Sequence, residues 1–218
     1  MLLTYFHHLR TAWRPAPLRR EALVTLFPAV LIIGGLTRFL DHVEHRAGVV
    51  LPDPVLALFP PIDLTWITFS VIYAGLIVAI LLLLRAPERF LLALQSYLLV
   101  ACVRMAAMAL LPLDPPPGMI ALKDPFVEFF GNGATLTRDL FFSGHTSTLL
   151  LVALTVPGRT ARTALFACTA VVGTCVLLQH VHYTIDVLAA PFFAYGCYRV
   201  VGLVRTHAGH AHKAGGGE

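Results

Sequence analysis

Six apolar runs alternate with short polar or Pro/Gly-rich stretches along the chain. They cover residues 21–40, 64–84, 90–111, 143–156, 163–178 and 183–204. About 20 apolar residues in a row is the length of a helix that crosses hydrocarbon. The pattern predicts an all-α protein, a single bundle of six transmembrane helices. The first run is too long for a secretory signal core, and Asp41-His-Val-Glu-His follows it instead of a small-residue cleavage site, so it reads as a retained span. Pro28 and the Gly34-Gly35 pair inside it permit a kink or a close helix contact. The breaks carry turn chemistry: Leu51-Pro52-Asp53, Pro60-Pro61-Ile62-Asp63, Arg85-Ala-Pro-Glu-Arg89, Pro115-Pro116-Pro117-Gly118, Gly131-Asn132-Gly133 and Gly158-Arg159. Three parts are expected: a basic flank at 1–20, a six-helix membrane domain at 21–204, and a Gly/His/Ala-rich tail at 205–218 without structure. Tyr5, Phe6 and Trp13 among the flank's arginines suggest a short interfacial helix.

Composition agrees. Of the 218 residues 57% are hydrophobic and only 13% charged, against about 25% charged in a soluble domain. The mean hydropathy is +0.77. Cys102, Cys168, Cys175 and Cys197 all lie inside apolar runs and form neither a disulfide framework nor a zinc spacing. They read as small buried apolar residues.

The formal net charge of +4 changes meaning once it is mapped. With the N-terminus inside, the inner segments hold Arg10, Arg14, Arg19, Arg20, Arg85, Arg89, Arg159, Arg162, Arg199, Arg205 and Lys213. The outer loops hold Arg38, Arg46, Lys123 and Arg138 with most of the acids: Asp41, Glu44, Asp53, Asp63, Asp114, Asp124, Glu128 and Asp139. This is the asymmetry of membrane topology. It accounts for the positive charge without a nucleic-acid partner, and it puts the N- and C-termini on the cytoplasmic side.

Two stretches carry the chemistry: Asp139-Leu-Phe-Phe-Ser-Gly-His145-Thr and His182-Tyr-Thr-Ile-Asp186. Both sit where an apolar run begins, on the predicted outer face. Ionisable groups at such depth are costly and mark function. Ser143 and Gly144 open a helix, where backbone N–H groups and the helix dipole favour an anion such as phosphate. Gly144 lets a ligand approach the backbone. His145 can donate a proton to a leaving oxygen. Asp186 lies one turn after His182 and can fix its tautomer and stabilise its charged form. His182 is then a nucleophile on phosphorus or a base for the attacking hydroxyl. The competing readings are interfacial anchors, a local i,i+4 bond, or a zinc site of two His and one carboxylate. No dedicated metal set is otherwise present, and no cofactor is expected.

These stretches resemble the third and fourth motifs of the sphingomyelin synthase family, a lipid-acting branch of the type 2 phosphatidic acid phosphatase superfamily. Tyr97, Arg104 and Met108, followed by Leu111-Pro112-Leu113, are similar to its second motif, and Leu51-Pro52-Asp53 to its first. The resemblance covers about residues 50–200 and implies a six-helix fold with His145, His182 and Asp186 as catalytic triad. It implies transfer of phosphocholine or phosphoethanolamine from a glycerophospholipid donor to a lipid hydroxyl such as ceramide, leaving diacylglycerol. The same-fold alternative is a lipid phosphatase or phospholipase-C-like hydrolase.

Phosphatases of the wider superfamily carry an Arg six residues before the second His; Val176 stands there. A diester head group has less charge than a monoester dianion and needs fewer cations, which favours transfer. Arg104 and Arg138 are the available cations; Arg104, inside an apolar run, is either a phosphate contact, a snorkelling side chain or the partner of a carboxylate such as Asp114 or Asp139. Asp139 either orients His145 or is an ordinary acid before a helix. His42, Glu44 and His45 read as solvated interfacial residues. His180 is either a supporting partner of His182 or the end of the fifth run.

Overall fold

The computed structural model describes residues 11–123 and 135–214, with side chains as far as His207. Tyr5, Phe6, Arg10, Asp124, Glu128 and the Gly131-Asn132-Gly133 punctuation lie outside the described residues. Among those described there are six α-helices: α1 (Ala16–His45), α2 (Thr65–Leu84), α3 (Pro87–Leu110), α4 (Gly144–Thr155), α5 (Arg159–Leu178) and α6 (Thr184–Ala214). All except α4 are long and apolar enough to cross a membrane. The protein is a helical membrane bundle.

Local sequence explains where the helices start and stop. Pro17 lies in the first turn of α1 and Pro87 opens α3; proline suits that position because its missing N–H has no helical partner there. Asp63 Oδ1 accepts the Thr65 amide at 3.0 Å just ahead of α2. Gly158, at φ 88°, turns the chain into α5.

Two boundaries differ from the sequence expectation. First, α1 runs to His45 instead of ending at Leu40, because Asp41 and His45 form a last helical turn exposed to solvent. Second, α6 continues through Ala214, beyond the expected end at Val204 and through most of the tail read as structureless. Its composition is Ala-rich there, which favours helix, and Arg205 is anchored to Glu21 and Gln95. The fourth helix lies where the sequence puts it: α4, Gly144–Thr155, falls inside the apolar run 143–156 and has 12 residues. At 1.5 Å per residue that is about 18 Å, well short of about 30 Å of hydrocarbon. It is a short central helix, shielded from lipid by its neighbours, and its far end meets the start of α3, where Arg89 donates to the Thr155 and Val156 carbonyls. It packs against α2, α3, α5 and α6, and Leu149, Leu151 and Ala153 on it are fully enclosed.

By contrast, α1 packs chiefly on α3 and leaves Leu23, Phe27, Val30 and Leu31 exposed, as a lipid-facing helix does. The close helix contact allowed at Gly34 and Gly35 is not made among the described residues: a methyl group on either would meet nothing within 4 Å. Inside lipid the helices gain little from hydrophobicity and depend on fit. The main apolar cluster joins Ala79, Leu83, Val100, Leu151, Ala153 and Ala190, small side chains alternating with large ones.

The loops at one end are tied to each other. Val49 pairs with Leu113, so closely that a Cβ at Gly48 would fall 2.5 Å from the Leu113 carbonyl carbon. Arg138 donates to Asp114 Oδ1 at 2.7 Å and to the Glu44 carbonyl at 2.7 Å. Glu44 in turn accepts from the amides of Thr137 and Arg138. These bonds fix the approach to α4 against the end of α1.

Candidate active site

The Ser143 hydroxyl accepts from the Thr146 amide at 3.4 Å and from the Thr146 hydroxyl at 3.1 Å. It is fully buried and caps α4, which is what serine does best at that position. The Ser143 amide donates to the carbonyl of Asp186 at 3.1 Å. One backbone bond thus joins the two sequence motifs, and His145 and His182 face each other with ring centroids 6.5 Å apart. Phe69 of α2 lies edge-on to His145 at 6.2 Å.

His182 Nδ1 is 3.4 Å from Asp186 Oδ2, and both side chains are almost wholly enclosed. A carboxylate can only accept, so this contact holds the proton on Nδ1 and leaves the lone pair of the neutral ring on Nε2. Asp186 Oδ2 also accepts the Tyr183 amide at 3.2 Å. Its other oxygen, Oδ1, is buried with no partner among the described residues.

The cation of the site is Arg104. It projects from the last turns of α3, buried, and its Nη2 pairs with Asp139 Oδ1 at 2.5 Å. Its guanidinium lies against the first residue of α4, where a Cβ at Gly144 would collide with Nη1. Gly144 is therefore required here by the arginine; an alanine would push the cation away from the helix mouth. Burial acts to raise the Asp139 carboxyl, but Arg104 outweighs it, helped by His182 and His145, and holds it below the ordinary carboxylate range. Asp139 thus lies within electrostatic reach of Arg104 and both histidines.

The candidate residues separate into two groups. His145, His182, Asp186, Arg104, Asp139 and Gly144 converge. Ser143 is close, but its side chain is committed to capping. Arg138 is committed to Asp114 and Glu44 and belongs to the loop scaffold. Val176, at the place of the second phosphatase arginine, is fully buried in apolar core. Among the described residues, no three His, Cys, Asp or Glu side chains form a group able to hold a metal ion; Glu44 near His42 and His45 is engaged with Thr137 and Arg138 instead.

Residues 138–202 match the family model described as PAP2 superfamily C-terminal. The matched segment contains Asp139, His145, His182 and Asp186, so the part of the chain that carries these residues is similar to the C-terminal part of PAP2 superfamily proteins. No curated protein and no solved structure matches the chain.

Three further residues hold the matched segment to the rest of the chain. Asp53 accepts the Thr184 amide at 2.6 Å and the Thr184 hydroxyl at 3.0 Å, so it caps the helix that carries Asp186. Burial raises this carboxyl, and the bonds from Thr184, Leu56 and Val55 bring it below its ordinary value. The Tyr183 hydroxyl donates to the Asp114 carbonyl at 2.9 Å and accepts the Leu51 amide at 3.1 Å. Gln179, fully buried, donates to Thr65 and to the Ile120 carbonyl and accepts from Leu64. Asp53 and Tyr183 stand in the recognised motifs, yet their partners are far away in the chain. Gln179 has no motif, and its only sequence signal is an amide at the end of an apolar run.

Proposed function

We propose that this protein is a membrane enzyme that moves a phosphate-containing head group from a glycerophospholipid to a lipid hydroxyl, such as that of ceramide. The observation that carries the reading is the single mouth where His145, the His182–Asp186 pair and Arg104 meet at the start of α4. A phosphodiester placed there meets a cation, a helix N-terminus and two imidazoles.

In the direct form of the reaction, His182 Nε2 takes the proton of the incoming hydroxyl as its oxygen bonds to phosphorus. The bond between phosphorus and the glycerol oxygen breaks, and His145 gives that oxygen a proton, releasing diacylglycerol. In the two-step form, Nε2 itself bonds to phosphorus while His145 protonates the departing glycerol oxygen. The acceptor hydroxyl then attacks, its proton returns to His145, and the phosphorus–nitrogen bond breaks. In both forms Asp186 orients His182 and steadies its positive charge. Arg104 balances charge on the phosphoryl oxygens by exchanging part of its hold on Asp139 for the substrate. Having one cation and an apolar Val176 suits a singly charged diester better than a monoester dianion.

The arginine distribution supports a cytoplasmic N-terminus and a site on the opposite side. The second reading is hydrolysis by the same residues with water as acceptor. Incubating the purified protein with head-group-labelled phosphatidylcholine or phosphatidylethanolamine, with and without ceramide, separates the two. Transfer predicts label on a second lipid that depends on ceramide. Label only in the aqueous phase would overturn transfer in favour of hydrolysis, and intact donor in every arm would overturn both.

A further inference from the structure

Beside the mouth, the segment 50–60 folds over a cavity of about 880 Å³, at the large end of the range for small-molecule sites, roughly 300–1,000 Å³. Leu51, Leu56, Phe59, Pro60 and Pro117 make most of its wall, and its charged or polar side chains are Asp53 and His180. Asp53 is spent: Oδ1 accepts from Val55, Leu56 and the Thr184 hydroxyl, and Oδ2 from the Thr184 amide. No carboxylate in the wall is therefore free to meet a cationic head group.

His180 is different. It is only 5% exposed. Its Nδ1 lies 3.3 Å from the Pro117 carbonyl, and its Nε2 is buried with no partner among the described residues. A carbonyl accepts, so Nδ1 carries the proton and the neutral ring offers a lone pair at Nε2. The complement of such an atom is an O–H donor. Phosphate and carboxylate oxygens, which bring no proton, do not fit it.

We infer that this cavity, resting on the transferase reading above, holds the neutral hydroxyl-bearing lipid of the reaction, with its hydroxyl donating to His180 Nε2 and its apolar part against Leu51, Leu56 and Phe59. The position suits that task. His180 and His182 are two residues apart, so their backbones are separated by at most about 7 Å. A hydroxyl held at His180 is thus bound by the same short stretch of chain that carries His182. The charged donor head group goes to Arg104 and the α4 mouth, and the neutral lipid goes to the apolar cavity. His180 is then a substrate-binding residue and not a proton carrier.

The test is photolabelling of the full-length protein in nanodiscs, which does not require turnover. The probes are a photoactivatable diacylglycerol, the same molecule with its hydroxyl acetylated, and a photoactivatable ceramide. The expected result is crosslinks in residues 50–60, about five- to tenfold weaker with the acetylated probe, as loss of one neutral hydrogen bond implies. His180→Asn, which keeps a residue tolerant of the left-handed backbone found there (φ 56°), is expected to weaken the hydroxyl probes likewise and to leave the acetylated probe unchanged. Stronger labelling by ceramide assigns the cavity to the acceptor, and stronger labelling by diacylglycerol assigns it to the departing glycerolipid; both uphold a hydroxyl site. Equal labelling by the acetylated probe, or crosslinks confined to other segments, overturns the inference. Labelling that follows the hydroxyl in a protein inert toward every phospholipid overturns the transferase reading and leaves the hydroxyl site standing.

Discussion

Each end of the bundle carries an arginine paired with a carboxylate, and the two ends are finished differently. Away from the site, Arg205 of α6 reaches Glu21 and Gln95, and Gln95 donates to Glu21 and Thr25 at 3.0 Å each. Thr25 itself donates to the Glu21 carbonyl at 2.8 Å. These groups answer one another, joining α1, α3 and α6. At the site end, Arg104 has Asp139, but Arg104 Nε, His180 Nε2 and Asp186 Oδ1 are buried without partners among the described residues. The hydroxyls of Thr68 and Ser96 are also without partners, but they are single groups on helices. An unpaired buried polar atom costs about 1–3 kcal/mol. One end is a closed staple; the other keeps hydrogen-bonding capacity unspent, as functional sites do.

The sharpest way to break this contrast is His182→Ala. Turnover should fall by about a thousandfold or more, as for loss of a triad base or nucleophile, with the melting temperature in detergent nearly unchanged. An unfolded variant would place His182 among the structural groups instead. Gly144→Ala comes next. By displacing the Arg104 guanidinium it should cost about ten- to a hundredfold in kcat/KM, comparable to weakening one charge-assisted contact to phosphate. Full activity would mean that Arg104 does not act from where it lies.

Asp53→Ala removes the cap of α6 and should cost about 1–2 kcal/mol of stability, read as a lowered unfolding midpoint, with a smaller loss of activity. The Arg104–Asp139 pair adds a pH test. Asp139 is held below its ordinary value in the folded protein, so its stabilising contribution is complete above the unfolded pKa and is lost as pH falls through the lower folded one. The stability gap between wild type and Asp139→Asn should therefore stay constant from about pH 7 to about pH 5 and narrow only below about pH 4. The smallest effect belongs to the far end. Glu21→Gln should cost no more than about 1 kcal/mol, since the pair with Arg205 is partly exposed, and should leave turnover unchanged.

The helices were legible because apolar runs have a length that only a membrane explains. The two motifs were legible because serine, glycine, histidine and aspartate stood at spacings with local meaning: a cap at Ser143 and one helical turn between His182 and Asp186. The enclosure of α4 was not. An apolar stretch reads the same whether lipid or other helices surround it, and here four helices do. The division between Arg104 and Arg138 was equally hidden. Both precede a plausible anion site, and only the fold shows Arg138 taken up by Asp114 and Glu44 while Arg104 rests on Gly144. Asp53 was visible as a residue but not as a cap, because its partner Thr184 is 131 positions away.

The central claim is that the mouth of α4 cleaves the bond between a lipid phosphate and its glycerol oxygen. Its most direct test is diacylglycerol released per labelled head group moved, by wild type and by His145→Ala, in vesicles of phosphatidylcholine and ceramide. The account predicts a one-to-one ratio in wild type, and loss of both products together in a His145→Ala protein that melts normally. Head-group movement that persists undiminished in that variant would contradict it.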